Sequence, residues 1–475
     1  LDKPVVIKAQ AWFTGRAAVG GIQFADSPQE AGSKSKQILG KSFKDFTVDK
    51  VLVEEKLDIT REMFASCIIS DTERSPVLIF SSIGGSGIEE IAAENPDAVV
   101  KIPININIGL RSFEAVDLIR NLDIKGKQLL KMSQILVKLV KTAIKYEARS
   151  VEINPVVFTS DGNIYAADAR MTIDDYAVFR HPELGITFAR EINNPPSPLD
   201  KLAYSIEEKD YRGTFYFIQL ERGFNKGEKV LGFHGAGGGG SMMSMDAIKR
   251  RGYKLANFCD TSGNPPASKV YRAARIILAQ KNIDGYFGSG SGVASQEQVQ
   301  SARGLVKAFI EGNLQVPAVV RLGGNLEEKA VEILQNYTKD LHPTVEGYTK
   351  DDSADFCAER MHKLIAEFKP AANGQKLKTG LDNVDYEFRT MTGSVKFDHS
   401  LCRDCESKIC IESCDKEVLK LDDGKPVLAI DPADAKKGKC TECLACELEC
   451  RIHVENGCYV DLPIEDLEEI TDQSQ

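Results

Sequence analysis

The sequence lacks any apolar run approaching the roughly 18 consecutive residues that a membrane-spanning helix needs. Its first residues, Leu1-Asp2-Lys3-Pro4, carry neither the basic nor the apolar block of a secretion signal. A cytoplasmic protein with no membrane partner is the expectation. A basic excess is also missing, since 60 Lys and Arg stand against 70 Asp and Glu, and a surface that neutralises nucleic-acid phosphates is therefore not expected. Cysteine is scarce over most of the chain: of 12 cysteines only Cys67, Cys259 and Cys357 precede residue 400. That distribution, in a long chain without an export signal, does not fit a disulfide framework.

What is present divides the 475 residues into parts, as the usual domain size of about 100 to 200 residues requires. From Leu401 to Gln475, 19 acidic residues face nine basic ones, so this tail carries the whole net charge of -10 and reads as a separate acidic module. Ahead of it, residues 1-195 mix strand-like runs (Pro4 to Ala9, Lys50 to Glu55, Pro76 to Ser81) with a helical pattern from Gly126 to Tyr146. Residues 205-370 alternate strands (Lys229 to Phe233, Asp284 to Phe287, Val316 to Leu322) with helices (Ser241 to Arg251, Lys269 to Gln280). That alternation predicts right-handed crossovers and a parallel sheet covered on both faces. Residues 371-398 are polar and irregular and read as a linker before the domain at 399-475.

Nine cysteines crowd between Cys402 and Cys458, in two runs: Cys402-x2-Cys405-x4-Cys410-x3-Cys414 and Cys440-x2-Cys443-x2-Cys446-x3-Cys450. Three thiolates on a short loop grip three irons of a cubane, and the fourth, beyond a chain reversal, ligates the other cluster. The spacing predicts one [4Fe-4S] cluster on Cys402, Cys405, Cys410 and Cys450, and a second on Cys440, Cys443, Cys446 and Cys414. The second run resembles a bacterial-type ferredoxin, with Arg451 where proline usually follows; the first has two extra residues between its second and third cysteines. Two four-cysteine zinc sites are the alternative. Cys458 is left over and reads as packing.

A second constellation is built from oxygen ligands. Val151 to Phe158 and Asn163 to Asp168 flank Thr159-Ser160-Asp161-Gly162, whose Asp-Gly suits a tight hairpin turn. The hairpin brings Glu152, Asn154 and Asp168 to one end of a paired sheet, where a carboxylate and an amide can hold the Mg2+ that bridges nucleotide phosphates. Lys8, the loop Thr14-Gly15-Arg16, Glu54 and Glu62 accompany them. The order Val-Val-Ile-Lys8-Ala-Gln, Gly15-Arg16, Val-Leu-Val-Glu54, Glu152-Ile-Asn154-Pro, Asp168-Ala-Arg and Phe179-Arg180-His181-Pro182-Glu183-Leu184 resembles the beta subunit of succinyl-CoA synthetase over nearly all of residues 1-370.

The resemblance implies an α/β protein: an ATP-grasp domain over 1-195, a flavodoxin-like ligase domain over 205-370, and then the small α+β ferredoxin-like iron-sulfur domain. The sequence opens inside the expected ATP-grasp domain, whose first subdomain is therefore expected to be abbreviated. The resemblance further implies Lys8 and Arg16 near phosphates of ATP or GTP, Glu54 near the adenosine, Glu62 in the same pocket, Asn154 and Asp168 on Mg2+, and Glu152 orienting a phosphohistidine. The same resemblance implies that this histidine and the CoA site belong to an alpha-type partner subunit.

The family's Asn-Gly-Ala-Gly reads His234-Gly235-Ala236-Gly237 here, placing His234 where the carboxylic acid substrate is expected. The loop Phe287-Gly288-Ser289-Gly290-Ser291-Gly292-Val293 and the segment Asp260 to Pro266 are similar to loops of ATP citrate lyase and citryl-CoA synthetase, which leaves the acid open. Gly235 to Gly240 and Gly288 to Gly292 each follow a strand and precede a helix, so their amides and the helix dipole can form an anion site; a ligand-free strand-to-helix turn is the alternative. The expected activity is formation of acyl-CoA, ADP and phosphate from acid, CoA and ATP, with a ferredoxin-linked oxidoreductase as a further partner. An electron-transfer subunit whose synthetase scaffold is regulatory is the competing expectation.

Overall fold

The computed structural model describes residues 3–11, 15–43, 46–84, 93–190, 195–210, 214–220, 224, 227–290, 294–370, 379–453 and 456–472. They form two compact units, Leu1–Pro195 and Pro196–Gln475. Among the described residues no helix is long and apolar enough to cross a membrane.

In the first unit, β1 (Val5–Gln10) is the centre of a three-stranded antiparallel sheet, between β2 (Ile22–Ala25) and β3 (Lys50–Glu55). Val5, Ile7 and Ala9 point to one face of β1 and pack with Ala25, Ile38 and Val48, so strand alternation sends Lys8 to the other face. A second, six-stranded sheet is built on β4 (Ile59–Ser70), β5 (Ser75–Ser81), β6 (Val99–Pro103), β7 (Ala148–Thr159), β8 (Ile164–Ala166) and β9 (Ala169–Ile173), with β7 between β4 and the β8–β9 pair. Helix α1 (Gly126–Lys145) lays Met132, Leu136, Leu139, Val140 and Ala143 on it. Their spacing of three and four is that of a helix face, and each large side chain so buried contributes about 1.5–3 kcal/mol.

In the second unit, β10 (Tyr216–Gln219), β11 (Lys229–Ala236), β12 (Tyr253–Leu255), β13 (Asn257–Asp260), β14 (Gly285–Gly290), β15 (Ala318–Arg321) and β16 (Val345–Tyr348) form one sheet in the order β10-β13-β11-β14-β15-β16. Strand β12 also pairs with β11. All pairings are parallel except that of the edge strand β10. Helices α2 (Gly238–Arg250), α3 (Ala267–Leu278) and α4 (Gln298–Glu311) connect the strands. Taking β11 as the first parallel strand, the order is 2-1-3-4-5, that of flavodoxin, and the direction of winding reverses between β11 and β14.

The cysteine-rich part closes this unit. Residues 386–397, read from sequence as linker, instead form a hairpin of β17 (Tyr386–Arg389) and β18 (Ser394–Phe397). Strand β18 pairs in turn with β21 (Cys458–Asp461). Between them lie the hairpin β19 (Leu419–Asp422) and β20 (Lys425–Leu428) and helix α5 (Ala445–His453). One hydrophobic core runs from Ala302, Leu305 and Phe309 of α4 into Phe397, Leu448 and Val460.

Candidate active site

Lys8 on β1 lies opposite Leu52 of β3, which makes Glu54 its diagonal neighbour on the same face. The ammonium meets Glu54 Oε2 at 2.6 Å and donates to the Ala167 carbonyl. Arg16 follows Gly15, whose φ of +74° suits glycine. Its Nη1 donates to the Ala9 carbonyl at 2.9 Å and its Nη2 pairs with the Asp168 carboxylate. Both cations are mostly buried, with side-chain exposures of 11% and 17%, while their carboxylates stay open at 42% and 39%. Pairs of this kind leave the cations preorganised and their partners able to exchange.

The hairpin supplies the remaining groups. The Thr159–Gly162 turn closes β7 on β8 with Phe158 opposite Ile164, and the Asn154 amide donates to the Asp168 carbonyl at 3.1 Å. The Asn154 side chain donates to Glu152 Oε1 at 3.3 Å. Lys8, Arg16, Glu54, Asn154, Glu152 and Asp168 are thus linked by hydrogen bonds and register around one corner. Glu62 stands apart, exposed on β4 opposite Val157, and Thr14 lies outside the described residues. The hard oxygens of Asp168 and Asn154 fit Mg2+, which keeps waters and phosphate oxygens as its other ligands. Among the described residues no three His, Cys, Asp or Glu side chains share a single-ion site.

In the second unit, His234 and Gly288 are register partners on β11 and β14, at the point where the winding reverses. A cavity there is lined by His234, Thr261, Gly288, Ser289, Gln298 and Ser301. His234 is 5% exposed. Its Nδ1 is bonded to the Tyr286 hydroxyl and its Nε2 to Thr261 Oγ1 at 3.1 Å. Burial pushes the imidazole down to about 4, so the ring is neutral near pH 7 and both nitrogens are engaged within the protein.

The two glycine segments are shorter as loops than their sequence suggests. Strand β11 continues through Gly235 to Ala236, and β14 includes Gly288 and Gly290. Only Gly237, with φ of +98°, separates β11 from α2. Its N–H donates to Asp260 Oδ1 at 3.0 Å, which ties this turn to the Asp260–Pro266 segment. Gly238 and Gly239 open α2 and are exposed, with no atom near enough to touch an added Cβ. Their free side and the helix terminus suit an anion. Gly292 lies outside the described residues.

Eight cysteines divide between two cavities. Cys414, Cys440, Cys443 and Cys446 line one, with Phe388, Val418 and Val460 among its walls. Cys402, Cys405, Cys410 and Cys450 line another. The last cysteine of each run thus faces the cavity of the other run. Gly457 gives the second cavity room, since a Cβ there would stand 3.1 Å from Cys402 Sγ. Burial pushes the thiols of Cys402, Cys410 and Cys440 up to about 12. Four thiols around a small apolar cavity fit a cubane, whose thiolates bind different irons and need not converge on one point. Cys458 is buried beside the second cavity.

Sequence reasoning missed the groups that hold these centres. Tyr286 on β14 and Thr261, just past β13, fix His234. Glu442 and Glu447, adjacent to ligand-type cysteines, are buried at 5% and 2% exposure. The only sequence signal for either glutamate was a charge inside a cysteine run.

The first unit thus offers paired Lys and Arg at one corner, and the second a parallel sheet with a cavity at its switch point. The ATP-grasp domain family matches residues 1–158. Succinate–CoA ligase [GDP-forming] subunit beta of Thermus thermophilus is 37% identical over 343 residues, 72% of this chain and 85% of its own. The ADP-forming subunit beta of Ignicoccus hospitalis is 34% identical over 336 residues, 70% and 84% of the two chains. The chain belongs to the succinate–CoA ligase beta-subunit family and, with it, to the acid–CoA ligases. In fold it is similar to ATP citrate lyase from Methanothrix soehngenii, solved with citrate and coenzyme A, at a TM-score of 0.63 and 19% identity over 77% of this chain and 87% of that one.

Proposed function

We propose that the chain is the beta-type subunit of a nucleotide-dependent acyl-CoA synthetase, converting acid, CoA and ATP or GTP to acyl-CoA, nucleoside diphosphate and phosphate through a phosphohistidine on an alpha-type partner. The observation that carries this reading is the corner in which Lys8 and Arg16 are held on Glu54 and Asp168 beside Asn154 and Glu152. Nucleotide phosphates would draw the two cations from their carboxylates. Asp168 and Asn154 would then hold Mg2+, whose charge offsets that of the phosphates. Glu152 would orient the partner's histidine. The acid would sit in the switch-point cavity, its carboxylate toward the α2 amides, with His234 as a neutral wall fixed by Tyr286 and Thr261.

The cysteine module, in the same reading, is a ferredoxin-like domain with two [4Fe-4S] clusters, held by the two sets of four cysteines and supplying one-electron transfer. Thioester formation moves no electrons, so the module connects the ligase to a redox partner that makes or consumes the thioester, such as a ferredoxin-linked oxidoreductase. The locked imidazole of His234 favours a second reading, an electron-transfer subunit whose synthetase scaffold only binds ligand. An assay of thioester formation with the alpha-type partner, across several carboxylic acids and both nucleotides, separates the two. Nucleotide-dependent acyl-CoA with at least one acid supports the first, and redox turnover without thioester supports the second.

A further inference from the structure

The ligase helices α3 and α4 each send a buried cation into the cysteine module. Lys307 of α4 is 1% exposed. Its ammonium meets Glu447 Oε1 and Oε2 at 2.8 and 2.9 Å and Glu311 Oε1 at 2.7 Å, and lies 4.2 Å from the centre of the Tyr459 ring. Glu447 also accepts the Val460 N–H at 3.0 Å. Arg275 stands 3.5 Å from Glu311 and 3.4 Å from the exposed Glu468 carboxylate. Arg272 of α3, 7% exposed, donates to the Thr392 carbonyl at 3.1 Å and the Pro463 carbonyl at 3.4 Å. Thr392 in turn donates its N–H and hydroxyl to Glu442 at 2.7 and 2.6 Å.

These contacts fall at particular places in the cysteine runs. Glu447 directly follows Cys446, on the helix that also carries Cys450, and these two cysteines line different cavities. Glu442 directly precedes Cys443. We propose that Lys307 is a positioning residue for both cysteine cradles, with Arg272 as its second support, so that the CoA-ligase domain is a built-in wall of the metal module. The module is then a fixed electron relay on the ligase, not a tethered ferredoxin. This rests on reading the eight cysteines as cluster ligands.

The test uses the full chain, purified without oxygen, as wild type, Lys307→Met, Lys307→Arg and Glu447→Gln. Iron content, the EPR spectrum and midpoint potentials are measured, together with amide hydrogen exchange of loaded and metal-free protein. Removing the Lys307 cation is expected to lower the potential of the cluster at Cys414, Cys440, Cys443 and Cys446. Removing the Glu447 anion is expected to raise it, and Lys307→Arg to restore wild-type behaviour. Exchange in residues 445–453 is expected to quicken in Lys307→Met whether or not metal is bound. Unchanged potentials and unchanged exchange in both Lys307→Met and Glu447→Gln would overturn the proposal. If wild type binds no iron, the cluster reading falls, and the exchange of the metal-free proteins alone decides whether Lys307 positions the module. Should Lys307→Met fail to fold, Glu447→Gln, which keeps the side chain's size, carries the same comparison.

Discussion

At His234 the chain replaces an amide expected from its family resemblance with a titratable ring, and burial sets the consequence. Its proton affinity is depressed from the ordinary 6.5 to about 4, so between those values the unfolded chain binds more protons than the folded one. The stabilisation is fully present above pH 6.5 and is lost as pH falls through 4, the loss reaching about 3 kcal/mol once both states are protonated. Tyr286 and Cys259 nearby are pushed upward by burial and stay neutral in that window. Denaturation of His234→Asn across pH 4 to 7 is expected to show a correspondingly flatter dependence. In the nucleotide corner, Lys8→Met is expected to lower kcat/KM by about 100-fold, the scale of losing one charge-stabilising donor; Asp168→Asn is expected to raise the Mg2+ concentration needed for turnover. Steady-state kinetics with the alpha-type partner checks both. Lys8, Arg16, Asn154 and Asp168 stand out in the sequence because their motifs are local, and the structure brings them to one corner. The partners of His234 were not, since Tyr286 lies 52 positions away and only the strand order makes them neighbours.

Glycines at the ends of β11 and β14 serve close packing. A Cβ on Gly288 would stand 2.8 Å from Val320 Cγ1, and one on Gly235 would stand 2.8 Å from the Cys259 carbonyl and closer still to Ser241. Gly288→Ala is expected to destabilise by about 1–3 kcal/mol, the usual cost of overpacking. Val320→Ala in the same chain should recover part of that loss, measured as a double-mutant cycle in denaturant. The sequence could not distinguish this role from ligand binding, because a glycine run reads alike in either case. Strands were legible where they were short and apolar, as at Ser75–Ser81. The 12-residue β4 was not, because its first half carries Arg61 and Glu62 and the buried run Met63 to Cys67 that follows shows no alternation. The β17–β18 hairpin escaped notice for a different reason: its partner β21 is more than 60 residues further on, and YEFR alone is too short to assert a strand.

Across the second unit, one core joins the ligase sheet and the cysteine module. Burial pushes the thiols of Cys402, Cys410 and Cys440 up to about 12, so cluster binding would require their deprotonation, and its free energy would add to that of folding. About eight irons per chain are expected for two cubanes. Cys443→Ser should reduce the count toward about four, whereas Cys67→Ser, in the other unit, should leave it unchanged; metal analysis and EPR check this. The spacing predicts which cysteines belong together, and the two cavities group them in the same way. The glutamate and lysine clamps were not, because a buried charge is defined by what packs over it. The most direct test of the central claim is transfer of the γ-phosphate of labelled ATP to the alpha-type partner, followed by addition of CoA and carboxylic acid. The account predicts an acid-labile histidine phosphate that forms only with Mg2+, is discharged by CoA plus acid, and is absent in Lys8→Met. No label on the partner with an intact wild-type complex would contradict it.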